Sequence, residues 1–426
     1  MEYGLIGEHL PHSFSKEIHE KCADYQYELL ELSPQRVADF MTQAPFKAIN
    51  VTIPYKQVVI PFLTEIDQQA KAIGAVNTVV NRNGKLYGYN TDFYGMQALL
   101  DHIGLSLSGK KVLILGTGGT SRTAQAVAIT AGAASVVVAG RSAHPPYVTY
   151  EEAYARHSDA EIVINTTPCG MYPYADGTDG RAAVPLDIAR FPRLLGVADA
   201  VYNPLRTNLI LDARSRGLPA EGGLYMLVAQ AVKASRIFQN KSTDGMKEQT
   251  EEIFRAVRLQ KENIVLTGMP ACGKSTVGKR LATLLDRPFI DTDDEIVKKV
   301  GKEIPQIFAE SGEAGFRALE AEVLRQIAGE ASGAVIATGG GAILRDDNVR
   351  ALKRTGRIYF LDRSPSALIP TKNRPLASTV DALKQRYRER YPRYCATCDL
   401  RVETDEVIQH TVETIRKDFL YEAFGT

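Results

Sequence analysis

Short apolar runs of strand length alternate along this chain with longer segments of helical spacing, and polar turns separate them. Residues 3–7 read as a short buried strand, and a helix-type run starts at Lys16. Residues 47–53 alternate apolar and polar and stop at Pro54, which holds Ile53 extended. Asn50 and Thr52 then share one strand face, with Lys56 in the turn beyond. Asn83-Gly84 between two apolar runs predicts a two-residue hairpin. Centred there, the pairing puts Asn77 opposite Asn90 and beside Thr91-Asp92. Residues 111–115 form a continuous apolar strand leading into Gly116-Thr117-Gly118-Gly119-Thr120-Ser121. The helix-type segment and the strand at 135–139 that follow complete a βαβ unit, with Ser121 where the third glycine of GxGxxG usually stands. Strands at 161–165 and 194–202 end in Asn165-Thr166-Thr167-Pro168 and Tyr202-Asn203-Pro204, loops that fall at the carboxyl edge of such a sheet. Gly222-Gly223 opens another helix, in whose apolar face Gln230 is the single polar side chain.

The same strand-turn-helix pattern returns at 263–276. An apolar strand ends at Gly268, and Gly268-x-x-x-x-Gly273-Lys274-Ser275 precedes a helix-type run. This is the spacing of a phosphate-cradling loop: backbone N–H groups approach the phosphates, Lys274 reaches the outer ones, and Ser275 can hold Mg²⁺. Further on, 289–293 reads as a strand with Asp291 and Asp293 on one face, able to divide metal binding from orienting a hydroxyl. Arg317 and Glu320 fall on one helical face, and a strand at 334–338 runs into Gly339-Gly340-Gly341. Arg374-Pro375-Leu376, beside Pro370, Lys372 and Asn373, reads as a lid. Between the two halves, 246–263 has amphipathic helical spacing with Ile253, Phe254 and Val257 on its apolar side. It is either a spacer or the last helix of the first half docked on its own lobe, and docking is the preferred reading.

With 426 residues the chain has room for about three domain-sized units. Hydrophobic residues make up 44% and charged residues 24%, ordinary for a globular protein. A net charge of +1 creates no global field for nucleic acid or an anionic membrane. No basic n-region or apolar core opens the sequence, and no run approaches a membrane span. Five scattered cysteines argue against a disulfide framework and suit a reducing cytoplasm; Cys395-x-x-Cys398 reads as structural. Arg386, Arg388, Arg390 and Arg393 cluster among tyrosines, and a polyphosphate or carboxylate partner fits them better than nucleic acid. Cys272, inside the phosphate loop near a helix start, predicts sensitivity to thiol reagents. Arg141, where an NAD site carries an acidic residue, suits the 2′-phosphate of NADP. Ser13, Ser15, Thr52, Lys56, Asn77 and Asp92 together suggest a site for a small polyhydroxylated ligand. The sequence leaves oligomeric state open.

Residues 1–240 resemble shikimate dehydrogenase through HSFSK (12–16), NVTIPYK (50–56), IGAVNT (73–78), GYNTD (88–92), GTGGTSR (116–122), NTTPCGM (165–171), VYNP (201–204) and MLVAQA (226–231). The resemblance implies that Ser13, Ser15, Thr52, Asn77, Tyr202 and Gln230 hold the substrate. It implies that Gly116, Thr117, Gly118, Gly119, Thr120, Arg141 and Gly223 hold NADP(H), and that Lys56 and Asp92 form the catalytic pair. Lys16 and Gly140 depart from the family's usual proline and asparagine. GMPACGKST, FIDTDDEI, GFRALE, TGGGA, RPL and Arg390-Tyr-Pro-Arg-Tyr394 resemble shikimate kinase, in the family's order. That resemblance implies Asp293, Arg317, Gly340 and Arg390 on shikimate, with the arginines clamping its carboxylate. It also implies Ser275 and Asp291 on Mg²⁺, and Ala271, Cys272, Gly273, Lys274, Ser275 and Thr276 around the ATP phosphates. Arg374 would cover the nucleotide, with Lys274 and Asp293 as the catalytic groups. The DTD, FR and GGG set disfavours adenylate and gluconate kinases.

The expected architecture is therefore α/β throughout. An αβ substrate lobe (1–101, rejoined by about 216–260) and a Rossmann NADP domain (102–215) lead through a linker or terminal helix (238–262) to a P-loop domain (263–426). The expected activity is reduction of 3-dehydroshikimate to shikimate, followed by ATP-dependent phosphorylation of shikimate.

Overall fold

The computed structural model describes residues 1–10, 13–141, 144–173, 175, 183–368 and 380–424. The chain divides into two units, Met1–Asn203 with Thr207–Val257, and Pro204–Arg206 with Arg258–Thr426. The lobes expected at 1–101 and 102–215 thus fall in one unit. Pro204–Arg206, expected in the nucleotide lobe, are counted with the second, where Arg206 pairs with Glu262.

The first sheet contains β1 (Tyr3–Gly7), β2 (Glu28–Glu31), β3 (Ala48–Val51), β4 (Glu65–Ile66), β5 (Thr78–Arg82) and β6 (Lys85–Tyr89) in the order β2-β1-β3-β5-β6-β4. The hairpin at Asn83-Gly84 has the expected register, with Thr78 opposite Tyr89 and Arg82 opposite Lys85. Asn83 has φ +54° and Gly84 φ +83°, the left-handed pair that such a turn demands. This register carries Asn77 to the start of the helix Asp92–His102.

The second sheet is wholly parallel: β7 (Lys111–Leu115), β8 (Ser135–Gly140), β9 (Val148–Thr149), β10 (Ile162–Asn165), β11 (Gly196–Asp199) and β12 (Ala220–Glu221), ordered β12-β11-β10-β7-β8-β9. The order reverses between β7 and β10, the switch point where such folds take their ligands. Continuous apolar strands suit a parallel sheet covered on both faces, and Val112, Leu113, Ile114, Val163 and Ile164 are all inaccessible.

The helix Leu224–Phe238 returns to pack on Asp92–His102. The amphipathic segment forms a helix, Met246–Lys261, with Ile253, Phe254 and Val257 buried. Within the first unit its Phe254 ring meets Tyr225 and His102 edge-on, and Glu251 accepts from the Tyr225 hydroxyl at 2.9 Å.

The second unit is a five-stranded parallel sheet of β13 (Asn263–Thr267), β14 (Phe289–Asp291), β15 (Val335–Ala337), β16 (Gly356–Asp362) and β17 (Leu400–Glu403), ordered β14-β15-β13-β16-β17. The long helix Ile304–Glu330 breaks at Gly312 (φ +67°) before it presents Arg317 and Glu320. Among the described residues no helix is long and apolar enough to cross a membrane.

Candidate active sites

Four expected residues of the first unit meet directly. Lys56 donates to Asp92 at 2.6 Å, and the pair is largely withdrawn from solvent, at 23% and 7% side-chain exposure. The Asn77 amide nitrogen donates to Asp92 at 3.0 Å, to Gln230 at 3.1 Å and to the Thr91 hydroxyl at 3.1 Å. Asp92 opens its helix, where the positive end of the backbone dipole favours a carboxylate. Ser13 caps the backbone N–H of Ser15 at 3.3 Å, and the Phe14 ring between them meets Tyr202 edge-on at 5.2 Å. Burial raises the pKa of Tyr202, so it is a neutral donor. Thr52 follows β3 beside Gly7 and donates through its backbone N–H to the Ile6 carbonyl.

Behind this cluster runs a chain of donors that the sequence reading did not assemble. Buried Tyr27 donates to the Asn50 side-chain oxygen at 2.7 Å. The Asn50 amide nitrogen donates to the Asn77 carbonyl and, at 3.0 Å, to the Thr78 hydroxyl, which passes its own proton to the Asn77 side-chain oxygen at 3.0 Å. A backbone carbonyl cannot donate, so the Asn50 amide has one orientation. Asn77 likewise has one, because its oxygen also accepts from the Thr91 backbone at 2.8 Å. The amide N–H groups of Asn77 are thereby turned toward Asp92 and Gln230. Alternation on β3 put Asn50 on one face with Thr52 without making it a candidate; Tyr27, on a different segment, carried no signal at all.

The dinucleotide loop opens at Gly116 (φ +103°), and the helix Gly119–Thr130 starts behind it, with Gly118 as its extended cap and Thr120 in its first turn. A Cβ on Gly116 would stand 2.9 Å from the Thr166 hydroxyl and 3.0 Å from a Thr167 methyl. Thr117 lies against Gly140, and Arg141 is exposed at the carboxyl end of β8. Ser121 is wholly buried, so the missing third glycine alters helix packing rather than the phosphate approach. Gly223 packs so closely on the Ala200 carbonyl that no side chain fits there.

In the second unit Lys274 donates to the carbonyl oxygens of Gly268 and Met269, each at 2.9 Å. Gly268 (φ +144°), Ala271 (φ +64°) and Gly273 (φ +100°) bend the loop. The left-handed conformation costs Ala271 roughly 1 kcal/mol, strain of the kind held at ligand loops. Ser275 donates to Asp291 at 2.6 Å, bringing together two hard oxygen ligands that suit Mg²⁺. Thr276 lies in the first turn of the helix Lys274–Leu285.

Two expectations change here. Asp291 and Asp293 do not share a strand face: β14 stops at Asp291, which caps the helix Thr292–Val300 by accepting from the Asp293 N–H at 3.1 Å. An aspartate before three acidic residues is a helix start, and that local preference ends the strand. Cys272 is buried, with its sulfur close against Gly268 and 3.8 Å from the Lys274 ammonium, so a thiol reagent has no direct access.

Arg317 pairs with Glu320 at 2.7 Å. Burial raises the Glu320 pKa against the pull of Arg317. The space beside Gly339 is bounded by Glu320 and Asp293, and the Arg317 guanidinium presses on Gly341, so the glycine run admits three functional side chains. Arg390 donates to the Gly340 carbonyl at 3.0 Å, and Tyr394 donates to the same oxygen. The arginine cluster sits on an 18-residue helix, Val380–Thr397, and Arg390 and Arg393 both turn inward onto backbone carbonyls. Arg374 lies outside the described residues.

These arrangements define a two-lobed dinucleotide-type oxidoreductase followed by a P-loop phosphotransferase. The shikimate dehydrogenase substrate binding domain model matches residues 5–79, and the shikimate kinase model matches residues 270–419. The chain belongs to the shikimate dehydrogenase family through its N-terminal part and carries a shikimate kinase domain behind it. A shikimate dehydrogenase (NADP(+)) of Clostridium perfringens is 35% identical over 273 residues, covering 60% of this chain and 98% of the relative. The crystal structure of shikimate dehydrogenase 1 from Peptoclostridium difficile superposes with a TM-score of 0.54 at 32% identity, covering 60% of this chain and 97% of that one. A Thermus thermophilus shikimate 5-dehydrogenase in complex with shikimate gives 0.50 at 27% identity, covering 60% and 99%.

Proposed function

We propose that this chain is a bifunctional cytoplasmic enzyme that reduces 3-dehydroshikimate to shikimate with NADPH and then phosphorylates shikimate at its 3-hydroxyl with Mg-ATP. The carrying observation is the Lys56–Asp92 pair within one hydrogen-bonded set with Asn77 and Gln230, on a chain that also holds a complete phosphate loop. NADPH supplies the hydride and Mg-ATP the phosphoryl group. As hydride reaches the carbonyl carbon, the oxygen gains negative charge, and Lys56 delivers a proton to it while Asp92 holds the ammonium in place. Asn77 and Gln230 orient the ring hydroxyls, and Ser13, Ser15, Thr52 and Tyr202 hold the rest of the ligand. The tight packing of Gly116 on Thr166 and Thr167, and of Gly223 on the Ala200 carbonyl, supports the reading of these loops as the dinucleotide site. Arg141, exposed after β8, suits the 2′-phosphate.

In the second unit Lys274 leaves its loop carbonyls for the phosphates, and Ser275 and Asp291 take the cation. Arg317 and Arg390 clamp the shikimate carboxylate, with Asp293 beside the attacking hydroxyl. Catalysis there is positioning and charge neutralisation.

The test follows absorbance as shikimate reduces NADP⁺, and phosphate transfer from ATP to shikimate, on the same preparation. Both reactions are expected, and quinate is expected to be the poorer polyol. A chain that phosphorylates shikimate but never reduces NADP⁺ would instead be a kinase tethered to a ligand-sensing lobe.

A further inference from the structure

Asp199 ends β11 with its side chain wholly buried, and neither proton transfer nor substrate binding uses it. Its carboxylate collects three donors. One oxygen accepts from the Asn165 amide at 2.8 Å and from the Val201 backbone at 3.0 Å; the other accepts from the Thr207 hydroxyl at 2.6 Å. Each donor leads to a different part of the dehydrogenase site. The Asn165 oxygen accepts from the backbone and hydroxyl of Thr167, at 3.0 and 2.7 Å, and Thr166 and Thr167 pack directly on Gly116 of the dinucleotide loop. Two donors on that oxygen leave the Asn165 amide a single orientation, with its N–H₂ toward Asp199. Val201 accepts from Gly223 at 2.8 Å, the Ala200 carbonyl fills the space beside Gly223, and Tyr202 follows against Phe14. Thr207 closes the 200–207 loop and caps the helix Asn208–Ser215 through the Ile210 N–H.

We infer that Asp199 is a positioning residue for hydride transfer, tying the loop that walls the dinucleotide (165–167) to the loop that carries Tyr202 against the substrate. The two oxygens of this carboxyl group accept all three bonds, and alanine here would leave the Asn165 amide, the Val201 N–H and the Thr207 hydroxyl without that acceptor. A shift of about 1 Å between donor and acceptor carbons is worth about 100-fold in rate, so a knot common to both loops controls the reaction without touching it. The inference rests on the dehydrogenase reading above.

The test uses the full chain in three variants, Asp199→Ala, Thr207→Val and Thr207→Ser, with shikimate phosphorylation in the same tube as an internal control. Wild-type NADP⁺ reduction is measured first; its absence would remove the dehydrogenase reading itself. With the wild type active, Asp199→Ala is expected to lose about 30- to 100-fold in kcat, and Thr207→Val about 10-fold. Thr207→Ser, which keeps the hydroxyl, should stay within a few-fold of wild type by the same reasoning. Rates are expressed per NADP⁺-binding site, and the isotope effect with deuterated shikimate should rise in the slow variants. If Asp199→Ala fails to fold, the Thr207 pair decides alone. Equal rates for Val and Ser at 207, or losses that vanish when rates are expressed per binding site, would overturn the inference.

Discussion

The two units assemble their charged clusters in opposite ways. In the second unit the loop residues come from one stretch: Gly268, Ala271, Gly273, Lys274 and Ser275 lie within eight residues of one another, and Lys274 bonds carbonyls of its own loop. In the first unit the Lys56–Asp92 pair joins residues 36 apart, and Gln230 reaches Asn77 from 153 residues away. A local loop carries its geometry in its own backbone angles. A site gathered from distant strands depends on sheet register and on buried groups such as Tyr27 and Asp199 that hold its parts together.

The sharpest break of this comparison is a crossed pair of substitutions. Lys56→Ala should cut NADP⁺ reduction by about 1,000-fold, the usual range for a lost acid–base group, and leave phosphoryl transfer unchanged. Lys274→Ala should do the reverse, and a loss of both activities from either change would end the claim of two independent chemistries.

The next effect lies in stability. Burial raises the Asp199 carboxyl from 3.8 to about 6, with its three hydrogen bonds offsetting part of the cost. Folding therefore favours the protonated form: this group's contribution is fullest below pH 3.8 and is lost as pH rises through about 6. That rise corresponds to about 3 kcal/mol. In denaturant titrations at several pH values, the gap between wild type and Asp199→Asn should change across this window; parallel curves would contradict it.

Arg390→Lys removes the planar fork while keeping the charge. The KM for shikimate in phosphorylation should rise about 10-fold, with the dehydrogenase untouched. The smallest effect belongs to Tyr27→Phe. The ring still stacks on His19 at 4.1 Å, but Asn50 loses its donor. About 1 kcal/mol, a several-fold fall in kcat without change in NADP⁺ binding, should follow; unaltered kcat would show that Thr78 and Thr91 hold Asn77 without help from Tyr27.

Much of this was legible beforehand, for identifiable reasons. The hairpin at Asn83-Gly84 was readable because a two-residue turn fixes register, and register placed Asn77 beside Asp92. The phosphate loop was readable because its glycines serve the backbone itself. The end of β14 was misplaced because strand periodicity was extended through Asp293, where helix capping by Asp291 prevails. Cys272 was expected to be reactive from its place in the chain, whereas reactivity depends on access, and packing against Gly268 closes it.

The sequence by itself determined the elements and the two nucleotide-type loops and singled out most of the polar groups of the two clusters, because these depend on backbone preferences and spacing over a few residues. Only the tertiary structure decided which buried groups orient them. Tyr27 reaches Asn50 and Asp199 reaches Asn165 and Thr207 across separate strands and loops. Such partnerships arise because a polar group removed from water must find a donor or acceptor wherever the fold happens to bring one, and no local pattern records that choice.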